Sequence, residues 1–295
     1  MNPTPGNPRR EITAFLGLAF LLALLIAVLL PDAHINLLLS VAVPAVSVGI
    51  LTFTVIPRGS RRALWRGIGL GRAAMRVWPA AIVMPLVLVA GAYGSALVIG
   101  AGRLKDVGLS DLTPDAVINL LVSVLIGTVI IVGEEIGWRG FLLPRFQQLT
   151  GKRRAAVATG FFHGCFHLPL ILLATTYDTG ITRWVAAPMA VAVITAGGVF
   201  YAWIWDRAGT VWPVAIAHNV VNTVFEVGAV SVVAAAGWNL SSVAGETGVA
   251  TLAVCVLAAV VLLARVQVWR TPAEQGRPIS VERELVLTGA RSVAP

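Results

Sequence analysis

Two adjacent glutamates and an arginine, in the stretch EEIGWR, stand at the end of a long apolar run. Glu135 and Arg139 are four residues apart, so on a helix they share a face and can form an ion pair. Glu134 points about 100° away from Glu135, because an α-helix has about 3.6 residues per turn. A carboxylate that is offset in this way and partly removed from water can act as a general base. Glu134 is therefore a candidate general base, next to a candidate ion pair of Glu135 and Arg139.

Histidines and an asparagine recur with the same spacing in two other apolar segments. His163 and His167 are four residues apart, and so are His218 and Asn222. Each pair therefore presents two polar groups on one helix face. Each residue also has a purely structural interpretation, as an interhelical clamp or as a buried hydrogen-bond partner. Because matched pairs occur in three separate apolar segments, the pattern favours one shared polar pocket.

The elements that must position these groups are membrane helices. The chain has 295 residues, of which 57% are hydrophobic and 12% are charged, whereas soluble domains carry about 25% charged residues. Apolar runs of about 18 or more residues recur, which is typical of transmembrane helices and argues against an apolar soluble enzyme. We predict an all-α polytopic membrane protein with about eight spans. They cover residues 12–31, 35–57, 77–100, 116–140, 155–175, 184–205, 211–234 and 247–266.

The basic residues fall mostly on one predicted side of the membrane. If the N-terminus is inside, every lysine and arginine except Arg103, Lys105 and Arg183 lies in a cytoplasmic segment. The positive-inside rule therefore predicts an N-in, C-in topology. The net charge of +8 is then explained by contact with an anionic inner leaflet. We expect membrane lipids as partners and no nucleic acid.

One membrane domain, residues 12–266, is predicted to account for most of the chain, with its polar motifs at about 115–235. Residues 1–11 are predicted to form a short cytoplasmic N-terminus, and residues 267–295 a mobile cytoplasmic tail. The first apolar segment is too long for a signal peptide and is interpreted as a span. Two cysteines lie inside apolar segments and are interpreted as structural.

The depths of the polar residues agree with one another. Glu134 lies near the cytoplasmic end of the fourth predicted span, and His167 and His218 lie roughly 10–18 Å from that side at about 1.5 Å per residue. Ionisable groups in membranes face the bundle interior or water. We therefore expect spans 4, 5 and 7 to meet around one cavity that opens to the cytosol. Glu226, one turn beyond Asn222, is interpreted as structural or accessory.

These segments resemble the type II CAAX prenyl endopeptidase family, also called CPBP or Abi-like intramembrane proteases. EEIGWRG fits the EExxxR signature, FFHGCFHLPL resembles the second motif, and HNVVN fits the HxxxN motif. The order of the motifs and the eight-span architecture also fit, and the resemblance covers about residues 115–235. One position departs from the family pattern. Four residues before the second-motif histidine, His167, the family has Phe or Trp and this chain has His163.

The resemblance implies an intramembrane endopeptidase that hydrolyses a peptide bond near the cytoplasmic membrane face. Glu134 and His167 would activate a water molecule for attack on the peptide carbonyl. His218 and Asn222 would stabilise the oxyanion through hydrogen bonds. A supporting set is expected around them, namely Glu135, Arg139 and His163.

The motifs allow more than one cofactor and more than one substrate. Zinc is possible, since two histidines and a glutamate can form a three-ligand catalytic site. The candidates would be Glu134, His167 and His218, although no HExxH sequence is present. The expected partner is a membrane-associated peptide or protein. Eukaryotic relatives cleave prenylated proteins, whereas bacterial relatives are linked to bacteriocin maturation or self-immunity, and the arginine-dense loops favour a bacterial plasma membrane.

Two other classes of function fit part of the pattern. A non-proteolytic membrane protein, such as a bacteriocin self-immunity protein, would use the same pocket to bind or scaffold a partner. A proton-coupled transporter would use Glu134 and the histidines as a proton relay. Transporters often carry repeated halves with matching interruptions, and the first three predicted spans contain no matching polar set.

Overall fold

The computed structural model describes residues 6–30, 33–105, 113–174, 181–265 and 269. Within these residues the chain is almost entirely helical. The helices are α1 Pro8–Leu29, α2 Ala33–Thr54, α3 Arg61–Ile68, α4 Trp78–Val98, α5 Pro114–Glu135, α6 Leu143–Thr150, α7 Lys152–Phe166, α8 Leu168–Leu173, α9 Arg183–Ala208, α10 Trp212–Ser231, α11 Leu240–Ala244 and α12 Val249–Ala264.

Seven helical segments of the described chain are long and apolar enough to cross a membrane. This confirms the prediction of an all-α polytopic membrane protein. The remaining predicted span, 35–57, corresponds to α2, whose apolar stretch Leu38–Thr54 is shorter than the other seven. The seven are Pro8–Leu29, Met75–Val98, Val117–Thr150, Lys152–Leu173, Arg183–Ala208, Trp212–Ser231 and Leu240–Ala264.

Several of the predicted span boundaries differ from the structure by a few residues or more. The seventh span was expected to reach residue 234, but α10 ends at Ser231 and the next residues form strand β2, Val232–Ala234. Of the predicted tail, the structure describes Trp269, which is buried and donates a hydrogen bond from Nε1 to the Leu262 carbonyl at 2.9 Å. The rest of that tail lies outside the described residues.

A short antiparallel sheet marks one end of the bundle, which we call the strand end. Strand β1, Gly102–Leu104, follows α4 and pairs with β2 in the register Gly102↔Ala234. Helix α11 packs beside it against α4. The sheet joins the far ends of α4 and α10 and so fixes their relative position.

The basic loops gather at the opposite end, which we call the basic end. Arg145 Nε lies 2.6 Å from Glu11 Oε2 and so joins α6 to the start of α1. Arg72 donates a hydrogen bond from NH2 to the Gly209 carbonyl at 2.7 Å, which joins the loop after α3 to the turn between α9 and α10. The loops that the positive-inside rule assigns to one side therefore meet at one end of the bundle.

Helices α7 and α9 pack unusually closely through glycines. A Cβ on Gly160 would lie 2.7 Å from the Thr195 carbonyl oxygen, and a Cβ on Gly198 would lie 2.7 Å from Gly160 Cα. Small residues at such crossings let membrane helices approach backbone to backbone. The contact lies one helical turn before His163 and therefore sets the position of that side chain.

Gly160→Ala is expected to destabilise the protein by about 1–3 kcal/mol, because overpacking a close contact forces the backbones apart. Thermal unfolding in detergent should show a lower midpoint. Gly197→Ala is the matched control on α9, since a Cβ there would meet no atom within 4 Å. Equal midpoints for the two variants would contradict this account of the α7–α9 crossing.

Candidate active site

A π-helical turn interrupts the helix that carries the two adjacent glutamates. Helix α5 ends at Glu135, the turn covers Ile136–Leu142, and α6 follows. A Cβ on Gly137 would overlap Pro44 of α2, and a Cβ on Gly140 would lie 3.1 Å from Ile68 of α3. The two glycines therefore let α2 and α3 pack against the turn. The sequence alone predicted a regular helix here, whereas π-helical turns change side-chain directions and are frequent at functional sites.

Glu135, the last residue of α5, forms a fully buried ion pair with Arg139 of this turn. Arg139 NH1 lies 3.0 and 3.1 Å from the two carboxylate oxygens, and both side chains have no exposed surface. The guanidinium also lies over the Tyr201 ring, 4.9 Å from its centroid. His218 Nδ1 is 2.8 Å from Glu135 Oε1. Because buried charges are stable only when paired and hydrogen-bonded, Glu135 fixes the orientation of both Arg139 and His218.

His163 connects this ion pair to Glu134. Its Nδ1 is 3.3 Å from Arg139 NH1, and its Nε2 is 3.0 Å from Glu134 Oε2. A guanidinium can only donate hydrogen bonds, so Nδ1 accepts and the ring proton lies on Nε2, which donates to Glu134. Trp138 stacks on the ring at 4.8 Å. Sequence reasoning gave His163 a supporting role and left its contacts open, and the structure gives it a direct hydrogen bond to Glu134.

His167 lies at the break between α7 and α8. Pro169 has no N–H to donate to the Cys165 carbonyl, so the helix cannot continue regularly through this position. The His167 ring centroid is 5.3 Å from that of His163. One possible ligand atom from each of Glu134, His163 and His167 lies within 4.8 Å of the others. The break therefore places His167 in the same cluster as the α5 carboxylate.

The donor set of this cluster differs from the one predicted for a metal. The sequence suggested Glu134, His167 and His218, whereas among the described residues the close group contains His163 in place of His218. The group fits a His₂Glu zinc site by distance. The protonation of His163 does not fit such a site, because its Nε2 donates a hydrogen bond to Glu134 and so is not a free ligand atom. If the proton moved to Nδ1, its N–H would point at the Arg139 guanidinium, which is also a donor. Metal-bound histidines instead donate their other ring N–H to an acceptor.

His218 and Asn222 lie on α10 and line the same cavity as Glu134. Tyr201 stacks on the His218 ring at 5.3 Å. Since Glu135 accepts a hydrogen bond from Nδ1, the second ring nitrogen, Nε2, can donate to a substrate oxyanion only when the ring is doubly protonated. The structure thus brings all four residues predicted to be catalytic to one cavity wall.

Two residues of the site were missed by sequence reasoning. Tyr201 contacts both Arg139 and His218, and the only signal for it was a rare tyrosine in an apolar span. Asn219 donates a hydrogen bond from Nδ2 to the Val124 carbonyl at 2.8 Å and so joins α10 to α5. Asn219 directly follows His218 in the HNVVN motif. It was missed because it does not share the helix face of His218 and Asn222.

The cluster lies at the deep end of a cavity of about 1230 Å³. Helices α2, α4, α5, α7, α9, α10 and α12 contribute to its wall, together with β2 and α11. Glu134 is 4% exposed, whereas Asn119, Ser123 and Glu226, further along the same wall, are exposed. The described wall therefore extends towards the strand end. The sequence predicted that the cavity opens to the cytosol, and this stays a prediction.

These features define a multi-pass, all-α membrane protein with a buried glutamate–histidine cluster at the end of an intramembrane cavity. Residues 114–224 match the family model of type II CAAX prenyl endopeptidase Rce1-like proteins. The chain therefore contains an Rce1-like domain, which confirms the resemblance that the three motifs indicated. The matched range runs from the first residue of α5 to α10 and includes every residue of the cluster. No curated protein matches the chain.

Proposed function

We propose that this protein is an intramembrane endopeptidase of the glutamate type. The observation that carries the proposal is the hydrogen bond between Glu134 and His163, next to His167, at the closed end of a cavity within the membrane helices. The Rce1-like domain supports a membrane endopeptidase at the level of the family. The expected substrate is a membrane-anchored peptide or protein, and the arginine-rich basic end favours a bacterial plasma membrane.

Glu134 is the proposed general base. One of its carboxylate oxygens, Oε2, is held by His163, which leaves Oε1 to accept a proton from a water molecule that His167 helps to position. The water oxygen forms a bond to the peptide carbonyl carbon as the proton passes to Glu134. The proton then goes to the leaving amine when the C–N bond breaks. General base catalysis of this kind contributes about 10²–10⁴-fold to the rate.

The negative charge that develops on the carbonyl oxygen needs donors. His218 and Asn222 are proposed to supply them from the α10 side of the cavity. A doubly protonated His218 also balances the charges of the cluster, because it pairs with Glu135 while Arg139 offsets Glu134. A neutral cluster is favoured in a buried site, where an unpaired charge is costly. Glu135 and Arg139 then act by positioning, since neither side chain has exposed surface.

Cleavage by the full chain in lipid nanodiscs tests this function. The substrate would be a set of fluorogenic peptides, each with one apolar membrane segment. We expect cleavage that continues at an unchanged rate after treatment with a strong chelator and does not increase with added zinc. The reason is that His163 donates to Glu134 and is not available as a metal ligand.

Two outcomes would contradict parts of the proposal. Loss of cleavage on chelation, restored by zinc, would show that a metal site forms despite the Arg139 contact. Tight binding of the peptides without any cleavage would favour the scaffold function that the sequence also allowed.

A further inference from the structure

A run of arginines occupies the connection between α2 and α4. This connection, residues 58–76, carries six arginines, and the sequence from residue 33 to residue 105 contains no aspartate or glutamate. The side chains of Arg58, Arg62 and Arg66 are exposed, and no carboxylate in the described part of the chain forms an ion pair with them. We call these three residues the α3 surface. Their charges are available to an anionic partner.

Helix α3 separates its charges from its apolar side chains. Arg62 and Arg66 are four residues apart and so share one face of the helix. On the other face, Ile68 has no exposed surface and Leu64 packs against the main hydrophobic core. The helix is therefore attached to the bundle by its apolar side and directs its arginines away from it. Short basic helices of this amphipathic kind are typical of membrane interfaces.

The α3 surface lies at the level where the chain leaves and re-enters the apolar region. The apolar stretch of α2 ends at Thr54, and the next candidate span begins at Met75. Phe53 and Met75 are 74% and 67% exposed, and the Arg61 guanidinium lies over the Phe53 ring at 5.3 Å. A soluble acidic partner would leave these apolar side chains in water, whereas a bilayer would cover them. The surroundings of the surface therefore favour lipid over a soluble partner.

Helix α3 also contacts two elements that carry the site. Ile68 packs on the π-helical turn, where a Cβ on Gly140 would lie 3.1 Å from it. In the loop after α3, the Leu70 carbonyl accepts a hydrogen bond from Trp212 Nε1 at 2.7 Å. Trp212 is the first residue of α10, the helix that carries His218. Whatever holds α3 in place therefore also supports the turn and the start of α10.

We propose that the α3 surface binds the phosphate headgroups of anionic phospholipids, and that the bound lipid stabilises the end of the bundle that carries the π-helical turn. The headgroups supply the negative charge that this part of the chain lacks, and the apolar neighbours of the arginines lie against the acyl chains. Other arginines at the basic end can meet the membrane, but they lack this contact with the turn through Ile68. Neither step requires peptide cleavage.

Lipid quenching can measure this binding in the full chain. Cys165 and Cys255 would be replaced by alanine, and Ala63→Cys, exposed on α3 between the arginines, would carry a fluorophore. Phosphatidylcholine nanodiscs would contain a fraction of brominated phosphatidylglycerol or the same fraction of brominated phosphatidylcholine. We expect stronger quenching by the anionic lipid. Arg62→Gln combined with Arg66→Gln should lower this preference about tenfold or more, since each basic residue near an anionic surface contributes about fivefold.

A second pair of arginines provides the matched control. Arg153→Gln combined with Arg154→Gln removes the same charge from exposed positions in the first turn of α7, also at the basic end. The preference for the anionic lipid should be kept there. An equal loss in both double variants would show a general charge effect and overturn the proposal. Equal quenching by the two lipids in the chain without these substitutions would overturn it as well.

Thermal unfolding of the unlabelled chain tests the stabilisation and avoids any effect of the label. The midpoint should be higher in nanodiscs with phosphatidylglycerol than in phosphatidylcholine alone. This increase should be lost when Arg62 and Arg66 are replaced and kept when Arg153 and Arg154 are replaced. An increase that survives the first replacement would contradict stabilisation through α3. If the lipid results are as expected and no peptide is cleaved, the lipid surface stands and the proposed endopeptidase fails.

Discussion

Glu134→Gln is expected to abolish peptide cleavage, with a loss of about 10²–10⁴-fold, while the protein stays folded. The amide has nearly the same size as the carboxylate, and its oxygen can still accept the hydrogen bond from His163 Nε2. It cannot accept a proton from water. The substitution therefore removes the chemistry and keeps the contact that positions the side chain.

The measurement is the cleavage rate in nanodiscs, combined with thermal unfolding to show that the variant is folded. Asp115→Asn is the matched control, because it makes the same carboxylate-to-amide change at an exposed position in the first turn of the same helix. We expect both rate and stability to be preserved there. Cleavage by Glu134→Gln close to the natural rate would rule out Glu134 as the base.

The membrane class and the polar residues of the site were visible in the sequence for simple physical reasons. Uninterrupted apolar runs indicate lipid-exposed helices, and ionisable groups within them indicate interior positions. The i, i+4 spacing of Glu135 and Arg139 predicted a shared face, and the structure has NH1 3.0 Å from Oε1. These features depend on periodicity within a single helix.

The contacts between helices were not predictable in the same way. His163 was assigned no specific contact because spacing along α7 does not show which helix faces it. The hydrogen bond to Glu134 arises from the π-helical turn after α5 and from the glycine crossing of α7 and α9. Both features depend on close packing of segments that are distant in sequence.

The direction in which the cavity opens was predicted from depth alone, and it stays a prediction. Depth was estimated from residue counts, which correctly placed the site nearer the basic end. Counting does not show which side of the cluster is filled. Trp138 and Phe141 in the turn are fully buried because α3 and α6 pack against that turn, which spacing along one helix does not show.

Glu135→Gln is expected to be the most destabilising single change in the site. It leaves the Arg139 guanidinium buried without its carboxylate, and removing one partner of a buried pair costs about 3–5 kcal/mol. It also weakens the hydrogen bond that orients His218, so cleavage should fall together with stability. Thermal unfolding in detergent should show a large decrease in the midpoint.

A double variant separates stability from function. Glu135→Gln combined with Arg139→Met removes both charges, so it should be less destabilised than the sum of the two single variants, because residues in direct contact are not additive. Cleavage should not return, since neither His218 nor His163 regains its charged partner. Recovery of both stability and cleavage would show that the ion pair is not needed to position the histidines.

Lys152→Met is the control for this series, because it breaks an ion pair at the basic end that is partly open to solvent. Lys152 Nζ lies 2.8 Å from Asp206 Oδ2, and the lysine side chain is 31% exposed. Exposed pairs contribute about 0–1 kcal/mol, so its unfolding midpoint should stay close to that of the natural chain. A decrease as large as that of Glu135→Gln would mean that the basic end, and not the buried pair, limits the stability of the bundle.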